Sequence, residues 1–331
     1  MTVRIVSYNL LVPVYADRPK FYFKCQPQFL KTDYRRNLIQ AQIEEEITHH
    51  ENTVICLQEL SLSMLPKLEL LFRSLNYSLF HNLYGEKWND YIGIGMAIPV
   101  SMQLNSISFI KIGEHIRSIS KHHEKRTNLF TWEWNFCQSA LSKFIQLASD
   151  PWKIAMDRSN TLICLQLVID GKPLYVGTYH MPCLYEQPDV MAIHSSIVKD
   201  LMFQISAGQD FILAGDFNLK PWDTCYQALT KKGYIDSNYP KYNNYEISYR
   251  PNTEQVLKSA YREKNGSEPN YTNYSDTTKS RNFCATLDYI FFVGDLTVEK
   301  VLKLPDHPTG ESYPDETHPS DHLMIAATFR L

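Results

Sequence analysis

Short β-rich runs recur from one end of the chain to the other, at residues 3–8, 53–58, 92–98, 104–111, 161–169, 173–180, 211–215, 286–293 and 322–330. They are too short and too apolar to be exposed on both faces. Between them fall amphipathic helix patterns over about 34–49 (Ile39, Ile43, Ile47), 63–75 (Leu68, Leu71, Phe72, Leu75), 188–206 (Val190, Ile193, Ile197, Leu201, with Gly208 as the stop) and 223–232, ending at Gly233. Strands outnumber helices, so two sheets packed face to face with helices outside is the economical solution. No repeat, low-complexity tract or long Gly/Ser linker breaks the chain, and one domain over residues 1–331 is expected. Residues 112–157 and 236–283 read as irregular loop insertions on that scaffold.

Composition narrows the function classes. Of 331 residues, 44% are hydrophobic and 21% charged, the balance of an ordinary globular chain. The 21 Tyr and 16 Phe suit packed sheets and also stacking surfaces for bases. A net charge of −3 argues against a sequence-blind duplex binder, and nucleotides or short single strands remain open. If the substrate carries phosphate, metal ions must supply much of the positive charge. The seven Cys form no CxxC pair, and Cys56, Cys164 and Cys284 lie in apolar runs and are expected to be buried thiols of a reducing compartment. With no signal-peptide pattern and no membrane-length apolar stretch, a cytoplasmic, membrane-free protein is expected.

Several of the runs end or open on a residue capable of chemistry. Asp216 and Asn218 follow Phe211-Ile212-Leu213-Ala214-Gly215. Two apart on an extended segment, they would project together with Phe217 turned into the core. A carboxylate beside an amide suits a site that activates water and steadies an oxyanion. Glu59 closes the buried-type run 54–58, where a carboxylate can hold a hard cation. Asp288 opens an apolar strand, and Asp321-His322 precedes another. Burying such groups requires partners, which a metal and hydrogen bonds can supply, and a carboxylate-oriented His322 can serve as base, acid or phosphate-binding cation. Asn9 ends the first run and presents its amide to a ligand, a water or a carboxylate. His180 is either a phosphate contact or an edge-strand histidine; Arg158 and Asn160 precede a strand where they could meet phosphate.

In their order these pieces resemble the endonuclease/exonuclease/phosphatase superfamily: Ser7-Tyr8-Asn9, Leu57-Gln58-Glu59, His180, Gly215-Asp216-Phe217-Asn218, Leu287-Asp288-Tyr289-Ile290 and Ser320-Asp321-His322. The resemblance implies a four-layer α/β sandwich, two mainly antiparallel sheets flanked by helices, with the site at one end. It implies Mg²⁺, with Mn²⁺ as substitute, held chiefly by Glu59, with Asn9 and Asp321 beside it. It further implies that Asp216 positions or deprotonates water, Asn218 steadies the transition state, Asp288 pairs with His322, and His322 and His180 meet the phosphate. Ser7-Tyr8-Asn9-Leu10-Leu11, Tyr271-Thr272-Asn273-Tyr274 and Pro319-Ser320-Asp321-His322 resemble the deadenylase branch with nocturnin and the Angel proteins. The chain departs from that branch in Thr178-Tyr179-His180-Met181-Pro182-Cys183 and in the unmatched residues 112–157, and no leucine-rich docking segment is expected. The implied activity is phosphodiester hydrolysis at an RNA 3′ end. The alternatives are a phosphatase of a nucleotide, dinucleotide or inositol phosphate, a DNA-directed nuclease or phosphodiesterase, and a silent binding module.

Overall fold

The computed structural model describes residues 1–18, 20–87, 90–121, 150–240 and 246–331. The strands are β1 (Thr2–Asn9), β2 (Thr53–Ser61), β3 (Tyr77–Lys87), β4 (Asp90–Pro99), β5 (Gln103–Lys111), β6 (Ser120–Lys121), β7 (Thr161–Ile169), β8 (Lys172–His180), β9 (Phe211–Asp216), β10 (Glu246–Ile247), β11 (Lys258–Ser259), β12 (Asn273–Ser275), β13 (Phe283–Ala285), β14 (Asp288–Val293), β15 (Thr297–Val301) and β16 (Ile325–Arg330). One six-stranded sheet has the order β15-β16-β1-β2-β4-β3 and the other β11-β14-β9-β8-β7-β5; β6 pairs with β10 and β12 with β13 in two-stranded ribbons. Each large sheet has one parallel pair at its centre, β1 with β2 and β8 with β9, and antiparallel neighbours elsewhere.

Side-chain alternation builds the layers. Val3, Ile5, Val54 and Cys56 meet Ile163, Leu165, Ile212, Ala214 and Ile290 in the core between the sheets. The intervening Val6, Tyr8, Ile55 and Leu57 pack outward on the helices Thr32–His49 and Leu65–Ser74. On the far side Leu162, Phe211, Leu213 and Phe291 pack against the helix Pro188–Ser206 through Val190, Ile193, Ile197 and Leu201. Burying each such branched side chain contributes about 2 kcal/mol. The result is helix, sheet, sheet, helix, the architecture expected from the sequence.

Several expectations need correction. The region 112–157 contains two helices among the described residues. Ile112–Ile119 buries Ile112 and Ile116 one turn apart, and Pro151–Met156 starts with Pro151 after Asp150, which accepts from the Trp152 and Lys153 amides. Residues 122–149 of that expected loop lie outside the described residues. The region 236–283 likewise carries the helix Ala260–Asn265 and strands β10 to β12. β3 and β15 were absent from the expected runs because neither shows a clean two-residue period: β3 is half-buried throughout 78–85, and in β15 only Val298 is buried. The last run begins at Ile325 rather than 322, because Asp321 and His322 are drawn into the site described next.

Candidate active site

The parallel centres of the two sheets decide where the polar residues gather. β1, β2, β8 and β9 all end at the same edge of the sandwich, and antiparallel β14 begins there, with Asp288 in register with Asp216. The face that buries Val3, Ile5, Cys56, Val176 and Ala214 between the sheets turns polar over its last residues: Ser7, Asn9, Gln58, Thr178, His180, Asp216 and Asp288. Ser7 Oγ donates to Gln58 Oε1 (3.3 Å), and Gln58 Nε2 donates across the sheets to Thr178 Oγ1 (3.1 Å), flooring the site with a satisfied polar layer. Gly215 is required where β8 and β9 approach, since a Cβ there would lie 1.9 Å from the Tyr179 carbonyl oxygen.

Above that floor, Asp216 is the hub. It is 1% exposed. Its Oδ2 accepts from Asn9 Nδ2 (3.0 Å) and lies 3.4 Å from His180 Nε2 and 3.8 Å from His322 Nε2. Its Oδ1 accepts from the Asn218 backbone N–H (2.9 Å). Asn9 Nδ2 also lies 3.3 Å from Glu59 Oε1, and Glu59 Oε2 accepts from the Val12 N–H (2.8 Å). Glu59 sits at a β-bulge between Gln58 and Leu60 with φ 55°, a conformation that swings its carboxylate out of the ladder toward the site. On the opposite side, His322 Nδ1 lies 2.8 Å from Asp288 Oδ2, which also accepts from Thr272 Oγ1 (2.6 Å). Tyr22 donates its hydroxyl to Asp321 Oδ2 (2.9 Å).

The electrostatics follow from packing acids into a dry space. Burial, helped by Asp288 and opposed by His322 and His180, raises the Asp216 carboxyl above the usual range. Burial also raises Asp321, with Glu59 adding to it and His322 opposing. Burial alone would neutralise His322; the Asp288 and Asp216 carboxylates override it and hold the imidazole proton well above the ordinary histidine value. One ligand atom each from Asp216, Asp288 and His322 lie within 4.8 Å of one another, close enough to hold a metal ion. Among the described residues, Asp288 Oδ1 and Asp321 Oδ1 are buried with no hydrogen-bond partner. Leaving a carboxylate oxygen so is costly unless a cation faces it, and an oxygen-rich donor set of this kind matches a hard divalent ion.

Asn9, Glu59, His180, Asp216, Asn218, Asp288, Asp321 and His322 thus converge at one end of the sandwich. Asn218 arrives differently from the extended-strand reading. β9 stops at Asp216, Asn218 has φ 51°, and its Nδ2 donates to the Met181 carbonyl (3.0 Å), while Phe217 does turn into the outer core. Asn160 supports the site from behind, donating to the His180 carbonyl (2.8 Å). Arg158 is not drawn into the acidic cluster among the described residues, and its charge bears instead on buried His194. Sequence reasoning missed Arg35, which is fully buried and donates to the carbonyls of Leu10, Leu11 and Pro319, clamping the loop after β1 to the loop before His322. The signal was there, because Arg35 stands four residues before Ile39 on the buried stripe of its helix. It also missed Tyr22, and it quoted Gln58 and Ser320 within motifs without giving either a role; the Ser320 Oγ donates to the Asn9 carbonyl (2.7 Å).

Comparison with known proteins gives a consistent answer. The family model described as "Endonuclease/Exonuclease/phosphatase family" matches residues 6–322. Human 2′,5′-phosphodiesterase 12 is 28% identical over 99% of this chain and 51% of its own length. Carbon catabolite repressor protein 4 homolog 1 of Arabidopsis thaliana is 26% identical over 99% of this chain and 57% of its own. The chain therefore spans about half the length of these curated relatives. Among solved structures, ANGEL2, described as a 2′,3′-cyclic phosphatase, superposes with TM-score 0.68 at 19% identity over 100% of this chain and 96% of that one. The human Nocturnin catalytic domain gives 0.62 at 17% over 99% and 94%. At these identities the structural likeness establishes the four-layer sandwich.

Proposed function

Because the chain belongs to the Endonuclease/Exonuclease/phosphatase family, we propose that residues 1–331 act as one catalytic domain of a metal-dependent phosphodiesterase that removes nucleotides from the 3′ end of single-stranded RNA. The observation that carries this reading is the sharing of Asp216 Oδ2 by Asn9, His180 and His322 beside buried carboxylate oxygens that lack partners. Glu59 and Asp321 would hold the Mg²⁺ ion, with Asn9 adjacent and Mn²⁺ able to replace it. Those residues would place such an ion where it could offset phosphate charge and polarise a phosphoryl oxygen.

The remaining chemistry belongs to the chain's own groups. Asp216, whose affinity for a proton is raised by burial, accepts one from the attacking water. Its Asn9 and Asn218 hydrogen bonds fix the carboxylate's orientation during that transfer. His322 keeps Nδ1–H on Asp288 and presents Nε2–H to a phosphoryl oxygen as a cation. This pairing favours phosphate binding by the Asp288–His322 unit over the metal ligation its spacing from Asp216 would also allow, since ligation needs a neutral imidazole. His180 supplies a second donor beside the same oxygen, and the Asn218 side-chain N–H not given to the Met181 carbonyl would steady the charge that develops on phosphorus.

A second linkage is favoured by one finding: the human and mouse relatives at 28% and 27% identity are named 2′,5′-phosphodiesterase 12. Both linkages present the same phosphodiester to the site. The test incubates purified protein and Mg²⁺, with and without EDTA, on 5′-labelled 3′,5′-oligoadenylate, 2′,5′-oligoadenylate, single-stranded DNA and nucleotide phosphates. An EDTA-sensitive ladder shortening from the 3′ end of a ribo-oligomer supports the reading, and the faster linkage identifies the substrate. Intact oligomers with orthophosphate released from a nucleotide would replace it with the phosphatase alternative.

A further inference from the structure

The turn that leaves the active site carries a cation set between two aromatic rings. Lys220 Nζ lies 6.0 Å from the Trp222 ring centroid and 5.6 Å from that of Phe283 on β13. Lys220 stands two residues beyond Asn218, and Trp222 is 69% exposed. The backbone between them is held firmly: the Lys220 N–H donates to Asp223 Oδ2 (2.8 Å), the Asp223 N–H returns to the Lys220 carbonyl (3.0 Å), and Gln227 Nε2 donates to the Pro221 carbonyl (2.8 Å). The preceding Leu219 is buried, and its carbonyl accepts from the Tyr289 hydroxyl (2.8 Å). The indole face is therefore presented to solvent by a turn with little freedom to withdraw it.

We propose that Lys220 and Trp222 form an outlying subsite for a nucleotide upstream of the two that flank the scissile bond, the indole stacking its base and the ammonium meeting its phosphodiester. The inference rests on the phosphodiesterase reading above and deepens it by giving the site a preference for chains over dinucleotides. An exposed aromatic face beside a cation is the recurrent means of gripping single strands without base selection, since every base has a π-face and every linkage a negative charge. The position answers the charge problem of a chain with net charge −3 and a strongly acidic centre: the positive charge that draws the polymer in lies at the rim. Lys220 serves binding here, not bond cleavage.

The experiment compares kcat/KM on hexa-adenylate with kcat/KM on the adenylate dinucleotide, in whichever linkage is cleaved faster, for wild type, Trp222→Ala, Lys220→Ala and Trp222→Phe. The subsite predicts that the hexamer-to-dinucleotide ratio falls about ten-fold or more in the two alanine variants and returns to within about three-fold of wild type in Trp222→Phe. An unchanged ratio in Trp222→Ala, including one in which both substrates suffer equally, overturns the proposal. Binding gives an independent reading: on the Asp216→Asn background, adding Trp222→Ala raises the Kd of fluorescein-labelled hexa-adenylate about ten-fold, and equal Kd values overturn the subsite. If wild type cleaves neither oligomer, the phosphodiesterase reading fails while this binding comparison still decides the subsite.

Discussion

Asn9 Nδ2, at the end of β1, donates to Asp216 Oδ2, at the end of β9, over 3.0 Å, and so joins the two sheets at their common polar edge. The same nitrogen lies 3.3 Å from Glu59 Oε1, so one neutral amide separates two carboxylates and orients both. Asn9→Ala should lower kcat about 10²–10³-fold and destabilise the fold by about 1–3 kcal/mol, because Asp216 loses a buried donor. Asn9→Asp should be worse on both counts, since it places a third carboxylate where the amide stood. Steady-state kinetics and urea unfolding measure the two effects, and wild-type kinetics in Asn9→Ala would remove the amide from the machinery.

Glu59 combines a positive φ with a place among like charges. Removing its charge should help the folded state when no metal is present. Glu59→Gln is expected to melt at or above the wild-type temperature in EDTA, to lose the increase in melting temperature that Mg²⁺ gives the wild type, and to turn over about 10²-fold more slowly or less. A variant that kept the full Mg²⁺-dependent shift would show that the ion is held elsewhere.

Arg35 tests how the site is braced. Its two terminal nitrogens serve three carbonyl oxygens on two loops, at 3.0, 2.9 and 2.7 Å. Arg35→Ala should cost about 3 kcal/mol or more by orphaning buried carbonyls. Arg35→Lys should recover only part of this, because an ammonium cannot reproduce the planar fork. Equal stability of the lysine variant and wild type would contradict the clamp.

The acid limb of stability is assigned to a residue far from the chemistry. His194 is fully buried, with Nδ1 2.8 Å from the Tyr179 hydroxyl and Nε2 3.2 Å from the Ala155 carbonyl, and burial pushes its pKa down to about 4. The unfolded chain takes up the proton near pH 6.5 and the folded chain only near 4, so this contribution is intact above pH 6.5 and is lost as pH falls through that window. Unfolding free energies at pH 7.5 and 5 should differ by about 2 kcal/mol on this account, and His194→Gln should flatten the difference. An unchanged acid limb in that variant would place the sensitivity on other groups.

Much of the fold was legible because its layers obey the two-residue period. Val3, Ile5 and Cys56 face one way, and Val6, Tyr8 and Leu57 the other, which is the mark of strands covered on both faces. Extending that alternation to the strand ends would also have found Gln58 and Thr178, which share a face with Asn9 and Asp216. Glu59 and Asn218 were singled out from their places at strand ends, but how they reach the site was not legible, since both depend on left-handed backbone that the period cannot register. Tyr22 and Ser320 escape it too: each reaches the site from an irregular segment, through a contact spanning about 300 residues or more. The Asp288–His322 pair was implied by resemblance rather than spacing, because 34 residues separate its members.

The measurement that bears most directly on the central claim is single-turnover cleavage of 5′-labelled oligoadenylate by wild type and Asp216→Asn at saturating Mg²⁺, with binding of the same oligomer recorded in parallel. The variant should cleave about 10²–10⁴-fold more slowly, with oligomer affinity and melting temperature close to wild type. Cleavage at the wild-type rate by a folded, oligomer-binding Asp216→Asn protein would contradict that claim.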